Sequence, residues 1–81
     1  SGMILIDEIE NNLNYLINDQ NERGLTLAVH PYVYAFITKG LLSHQMRWYQ
    51  NYKRWIKVCS EKDYQIMQFQ FRNKNGDVLK H

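Results

Sequence analysis

Leu25-Thr26-Leu27-Ala28-Val29-His30-Pro31-Tyr32-Val33-Tyr34-Ala35-Phe36-Ile37-Thr38-Lys39-Gly40 changes its period halfway along, and that change decides the fold. Up to Val29, the residues Leu25, Leu27 and Val29 alternate with Thr26 and Ala28, the period of two expected of a half-buried strand. Its short length predicts pairing on both sides. Pro31 then suits the first turn of a helix, where its missing N–H costs nothing. Val33, Phe36 and Ile37 fall on one helical face, and Gly40 stands where a left-handed cap is expected, so a helix is predicted over about residues 31–39. A residue such as His30, at a strand exit just before a helix, either caps that helix or offers its imidazole to a ligand.

Outward from this stretch the pattern repeats. Upstream, Ile6, Ile9, Leu13, Leu16 and Ile17 recur at three- and four-residue steps, predicting an amphipathic helix over residues 4–18. Its acids Asp7, Glu8 and Glu10 are placed in the first turns, where the helix dipole favours negative charge. Residues 19–24 form a polar connection ended by Gly24. Downstream, Ser43 is a candidate N-cap for a third helix from 44 to about 54, with Met46, Tyr49 and Tyr52 or Lys53 along one side. Ile56 and Val58 begin a second strand. Residues 64–72 read as the clearest strand, with Met67, Phe69 and Phe71 on one face and Gln68, Gln70 and Arg72 on the other. The Asn75-Gly76 pair signals a turn that returns Val78-Leu79 as a fourth short strand. The order α-β-α-α-β-β predicts an α+β fold: a small two-layer sandwich, three to four strands backed by three helices. The Gln and Arg positions of the last strand then face solvent or a second protein.

The 81 residues, 44% hydrophobic and 22% charged, suit one globular domain. Ser1-Gly2 reads as a cloning scar, so residues 3–81 are expected to be a single domain, the C-terminal piece of a longer chain. A lone cysteine, Cys59, allows no internal disulfide, and no apolar run or leader marks a membrane span or signal peptide, so a cytoplasmic location is expected. The formal charge of +2 conceals segregation. Residues 1–24 set five acids against Arg23, a balance of −4, while residues 25–60 carry Lys39, Arg47, Lys53, Arg54 and Lys57 without an acid, a balance of +5. Such a division places an acidic helix beside a basic one, or reserves a basic face for an outside anion.

No catalytic constellation emerges. Asp7 and Glu10 lie one helical turn apart, as a divalent cation requires, but read as a solvated helix face. His30, His44, His81 and Cys59 lack paired zinc-ligand spacing. Ser43-His44 are sequence neighbours only, and no glycine-rich phosphate loop occurs. No cofactor or small-molecule substrate is expected. The segment 43–57 interleaves cations with aromatic rings. It suits either packing at a protein interface, or RNA binding with Arg47, Lys53, Arg54 and Lys57 on phosphates and Trp48 or Tyr52 stacking on bases.

From Leu25 to Val33 the chain resembles the C-terminal small domain of the ribonuclease E/G family, in which a strand ending in Val-His-Pro also opens into a helix. The resemblance resumes at Ile56-Lys57-Val58 and at Tyr64-Gln65-Ile66-Met67-Gln68-Phe69-Gln70-Phe71, and spans about residues 25–72. It is poorest between Gly40 and Trp55, where many members carry a different, often acidic helix. The resemblance implies that the nuclease aspartates with their magnesium, the RNA-sensing domains and the zinc-linking cysteines belong to an upstream part of the parent chain. It also implies that this domain serves protomer association and support of the catalytic portion. The expected function is therefore that of a non-catalytic accessory domain of a cytoplasmic endoribonuclease in RNA processing or decay. Interface residues are expected at Trp48, Tyr52, Trp55, Met67, Phe69 and Phe71, the last three if the sheet face is incompletely covered. The alternative is a stand-alone RNA-binding module.

Overall fold

Strand β1 (Thr26–Val29) occupies the centre of a mixed four-stranded sheet of order β2-β1-β3-β4, in a computed structural model that describes residues 2–79, with side chains from Ile4 onward. Ser1, half of the expected scar, and His81 lie outside the described residues. β2 (Lys57–Ser60) pairs parallel to β1, and β3 (Phe69–Arg72) pairs antiparallel on its other side, so the central strand is paired on both sides as its length predicts. β4 (Val78–Leu79) closes the sheet against β3.

Register separates the two faces. Leu27, Val58, Phe71 and Leu79 lie side by side across the sheet and face the core, as do Val29 and Phe69. Lys57, Thr26, Arg72 and Val78 form a row on the opposite, more open face, followed by Cys59, Ala28 and Gln70, of which Ala28 is buried. Gln70 and Arg72 therefore face away from the core, as their alternation with Phe69 and Phe71 predicts. The molecule is an α+β fold, with three α-helices among the described residues.

Helix α1 (Gly2–Asn14) continues into a π-helical turn, Tyr15–Asp19. The apolar positions read from the sequence, Ile6, Ile9, Leu13, Leu16 and Ile17, are all buried. A π turn is wider than an α turn, and here the adjacent Leu16 and Ile17 both reach the core. Because α1 begins at Gly2, Asp7, Glu8 and Glu10 lie beyond its first turn, and the helix dipole does not account for them.

Helix α2 (Pro31–Thr38) begins where expected, and His30 is its cap, its Nδ1 accepting the Tyr32 backbone N–H at 3.0 Å. Helix α3 (His44–Tyr52) is capped by Ser43, whose Oγ accepts the Met46 N–H at 3.1 Å. Its inward side differs from expectation. Met46 and Tyr49 are exposed, while Gln45 and Trp48 are buried and Tyr52 packs partly against the core. The burial of a glutamine turns the helix by one residue, and the Gln45 amide donates to the Ile56 carbonyl at 2.8 Å.

The expected long strand over 64–72 shortens to Phe69–Arg72. β1 ends at Val29, opposite Phe69, because His30-Pro31 diverts the chain into α2. Residues before Phe69 have no strand to pair with, and their polar groups close turns instead, Tyr64 N–H to Glu61 O and Gln68 N–H to Gln65 O, both at 3.1 Å.

Candidate functional site

The aromatic and basic residues between Gly40 and Lys57 divide between inside and outside. Trp48 is 1% exposed in the core, and its indole N–H donates to Glu10 Oε2 at 2.9 Å. Its ring is thus closed to a nucleic-acid base, which corrects its expected stacking role. Tyr52 is half-buried, and its hydroxyl donates to Asn14 Oδ1. Burial, with a smaller contribution from the charge of Glu10, raises the Tyr52 phenol above its ordinary value of 10.0. Both rings bind α3 to α1, and Glu10, expected as a solvated carboxylate, is occupied with the indole.

The cations stay outside and largely unneutralised. Arg47, Lys53 and Lys57 are exposed, and Lys53 ends α3 with the left-handed φ of 58°. Arg54 is held by two neutral acceptors, the Glu22 carbonyl at 2.8 Å and Asn21 Oδ1 at 3.3 Å. The single salt bridge among the described residues joins Arg72 to Glu61, at 3.4 Å on the open face. The acidic N-terminal segment and the basic middle segment therefore meet through an indole and a phenol rather than through ion pairs.

The expected interface residues also divide. Phe71 is fully buried, which withdraws it from an interface role, while Phe69 is half-buried with its ring edge-on to Phe71 at 6.1 Å and packs against the core. Met67, outside the strand, is 45% exposed. It closes one side of an apolar groove of about 380 Å³ whose other walls are Leu5 and Ile6 of α1, Tyr32, Val33 and Phe36 of α2, and Ile66. No charged residue lines it. The groove is not legible in the sequence because its walls come from three separated segments, although the doubled Ile66-Met67 departs from the alternation of a half-buried strand.

Trp55 is 50% exposed, and its ring meets that of Tyr49 edge-on at 6.1 Å. It stands at a second recess, of about 360 Å³, lined also by Thr26, Lys57, Arg72 and Lys74. Gly24, with φ +64°, lets Lys74 approach so closely that an added Cβ would lie 2.7 Å from the Lys74 Cβ. Nothing local in the sequence marks Lys74, since its place depends on the β3–β4 return.

No group of three or more His, Cys, Asp or Glu residues able to hold a metal occurs among the described residues. No helix there is long and apolar enough to cross a membrane. The fold and its surfaces define a small α+β domain whose recesses include an apolar one and a basic one. No protein-family model, curated protein or solved structure matches the chain.

Proposed function

We propose that the chain is a non-catalytic association domain, the C-terminal small domain of a cytoplasmic endoribonuclease of the ribonuclease E/G kind, and that it joins protomers by pairing with a second copy of itself. The observation that supports association is the uncharged groove between α1, α2 and Ile66-Met67, rimmed by Tyr32, Phe36, Ile66 and Met67, each at least 45% exposed. Contiguous apolar surface of this kind marks interaction sites. Because its walls carry no charge, two copies of the same surface meet without like-charge repulsion. The ribonuclease part of the reading is supported by the sequence resemblance over about residues 25–72. Its metal chemistry belongs to the upstream part of the parent chain.

Sedimentation velocity across a concentration series tests the association. The wild-type chain is expected to shift toward a dimer as concentration rises, and Met67→Glu or Phe36→Glu to remain monomeric with an unchanged far-ultraviolet circular dichroism spectrum. A wild-type chain that stays monomeric at high micromolar concentration overturns the reading. For the parent chain, the native gene product should encode an acidic metal site and a cysteine-containing linker upstream of Met3.

A further inference from the structure

We infer that the recess on the open sheet face binds single-stranded nucleic acid, with a base on Trp55 and phosphates on Lys57 and Lys74. This site is separate from the apolar groove and stands whether or not the domain self-associates.

Three observations converge on it. First, the lining includes Lys57, Arg72 and Lys74 and no acid. Arg72 is already paired with Glu61, which leaves the two lysines exposed and without an ion-pair partner among the described residues. Arg54, fixed by neutral acceptors on the 21–22 loop, and Lys53 add positive charge on the approach from α3. A local surplus of cations with little neutralising charge is the electrostatic footprint of a polyanion site.

Second, Trp55 is the one tryptophan open to solvent, and Tyr49 meets its ring edge-on. An aromatic ring beside a cationic track is the arrangement that holds single strands without reading their sequence, because every base has a flat face to stack. Duplex offers no free base for the indole.

Third, the recess is built rather than incidental. Lys57 and Arg72 flank Thr26 on neighbouring strands, so their Cα atoms are about 10 Å apart. Gly24 brings Lys74 onto the same rim. A volume of about 360 Å³ lies at the low end of the range of small-ligand sites, enough for one nucleotide.

The test is fluorescence anisotropy with a fluorescein-labelled oligouridylate of about eight nucleotides. Two phosphate contacts predict that wild-type affinity falls about sevenfold between 50 and 200 mM salt. Trp55→Ala is expected to weaken binding at least ~fivefold, the low end of one base stack. The pair Lys57→Glu and Lys74→Glu is expected to weaken it at least ~tenfold at low salt, each reversed charge repelling a phosphate. Lys39→Glu changes charge outside the recess and should leave affinity within about twofold. All these side chains are exposed, and matching thermal melts certify folding. The inference is overturned by a wild-type chain that does not bind, by Lys39→Glu weakening binding as much as the recess variants, or by Trp55→Ala binding as tightly as wild type.

Discussion

Replacing Trp48 by alanine and by phenylalanine separates a core tryptophan from a nucleic-acid-stacking one. The indole is 1% exposed, and removing a fully buried Trp side chain costs about 3–5 kcal/mol. A domain of 81 residues has a total stability of only about 4–12 kcal/mol. Trp48→Ala should therefore lower the melting temperature by at least ~12 °C or leave the chain unfolded. Trp48→Phe keeps most of the ring but leaves Glu10 without its indole donor. Glu10 is half-buried, so the hydrogen-bond part of the loss is near the low end for a bond to a charged group, about 1.5 kcal/mol or ~6–12 °C, and the space left by the smaller ring adds to it. In a double-mutant cycle with Glu10→Ala, the hydrogen-bond part should disappear, because the second substitution removes the partner the first one orphans, while the packing part remains. Urea unfolding supplies the free energies and thermal melts the midpoints. An alanine variant less than about 1 kcal/mol below wild type would refute a buried ring and return Trp48 to the surface. Trp48→Phe should also bind oligouridylate as wild type does, in contrast to Trp55→Ala.

Three further substitutions examine other parts of the same packing. Gly24→Ala should cost about 2 kcal/mol or more in urea unfolding, because it strains a φ of +64° and drives a methyl against the Lys74 Cβ, the rigid end of that side chain; a loss under ~0.5 kcal/mol would mean the β3–β4 turn moves freely. Ser43→Ala removes the α3 cap and should cost about 1 kcal/mol, with Ser43→Asp restoring most of it. Tyr52→Phe should cost about 1 kcal/mol near neutral pH through loss of the Asn14 bond. The folded Tyr52 holds its proton more tightly than the unfolded chain does, so its contribution is complete below about pH 10 and is lost as pH rises through the folded value. The gap between wild type and Tyr52→Phe should narrow above about pH 10, and a gap that widens there would contradict the raised phenol.

The parts of this fold legible in the sequence are those that local rules dictate. The passage from β1 to α2 is written in Val29-His30-Pro31, where alternation ends, an imidazole caps and a proline starts the helix within three residues. Ser43 and the apolar steps of α1 follow the same logic. The misread features depend on distant partners. The inward side of α3 could not be found by hydrophobicity, because Gln45 is buried to reach the Ile56 carbonyl and Trp48 to reach Glu10, 38 positions away. The length of β3 is limited by the end of its neighbour β1 rather than by its own alternation. The site residues divided for the same reason. A helix with aromatics at most of its turns looks alike from every side until the core selects one, and that choice buried Trp48 while leaving Trp55, beyond the helix end, in the open.

Charge segregation along the chain acquires its meaning from these contacts. An acidic helix packed on a basic one ordinarily suggests cohesion by ion pairs. Here the carboxylate of Glu10 accepts from an uncharged indole, Asn14 accepts from an uncharged phenol, and Arg54, which reaches the acidic segment at residues 21–22, takes a backbone carbonyl and an asparagine. A neutral donor thus satisfies Glu10 without consuming the positive charge of the basic segment. The surplus of residues 25–60 is thereby turned outward, and Lys57 carries it onto a sheet face where Lys74 adds to it and Trp55 stands exposed. The same economy leaves the apolar groove uncharged, since none of the five cations of that segment lines it. A chain arranged in this way keeps electrostatics for one recess and hydrophobic contact for the other, so charge reversal at Lys57 and Lys74 and charge insertion at Met67 should act on different partners.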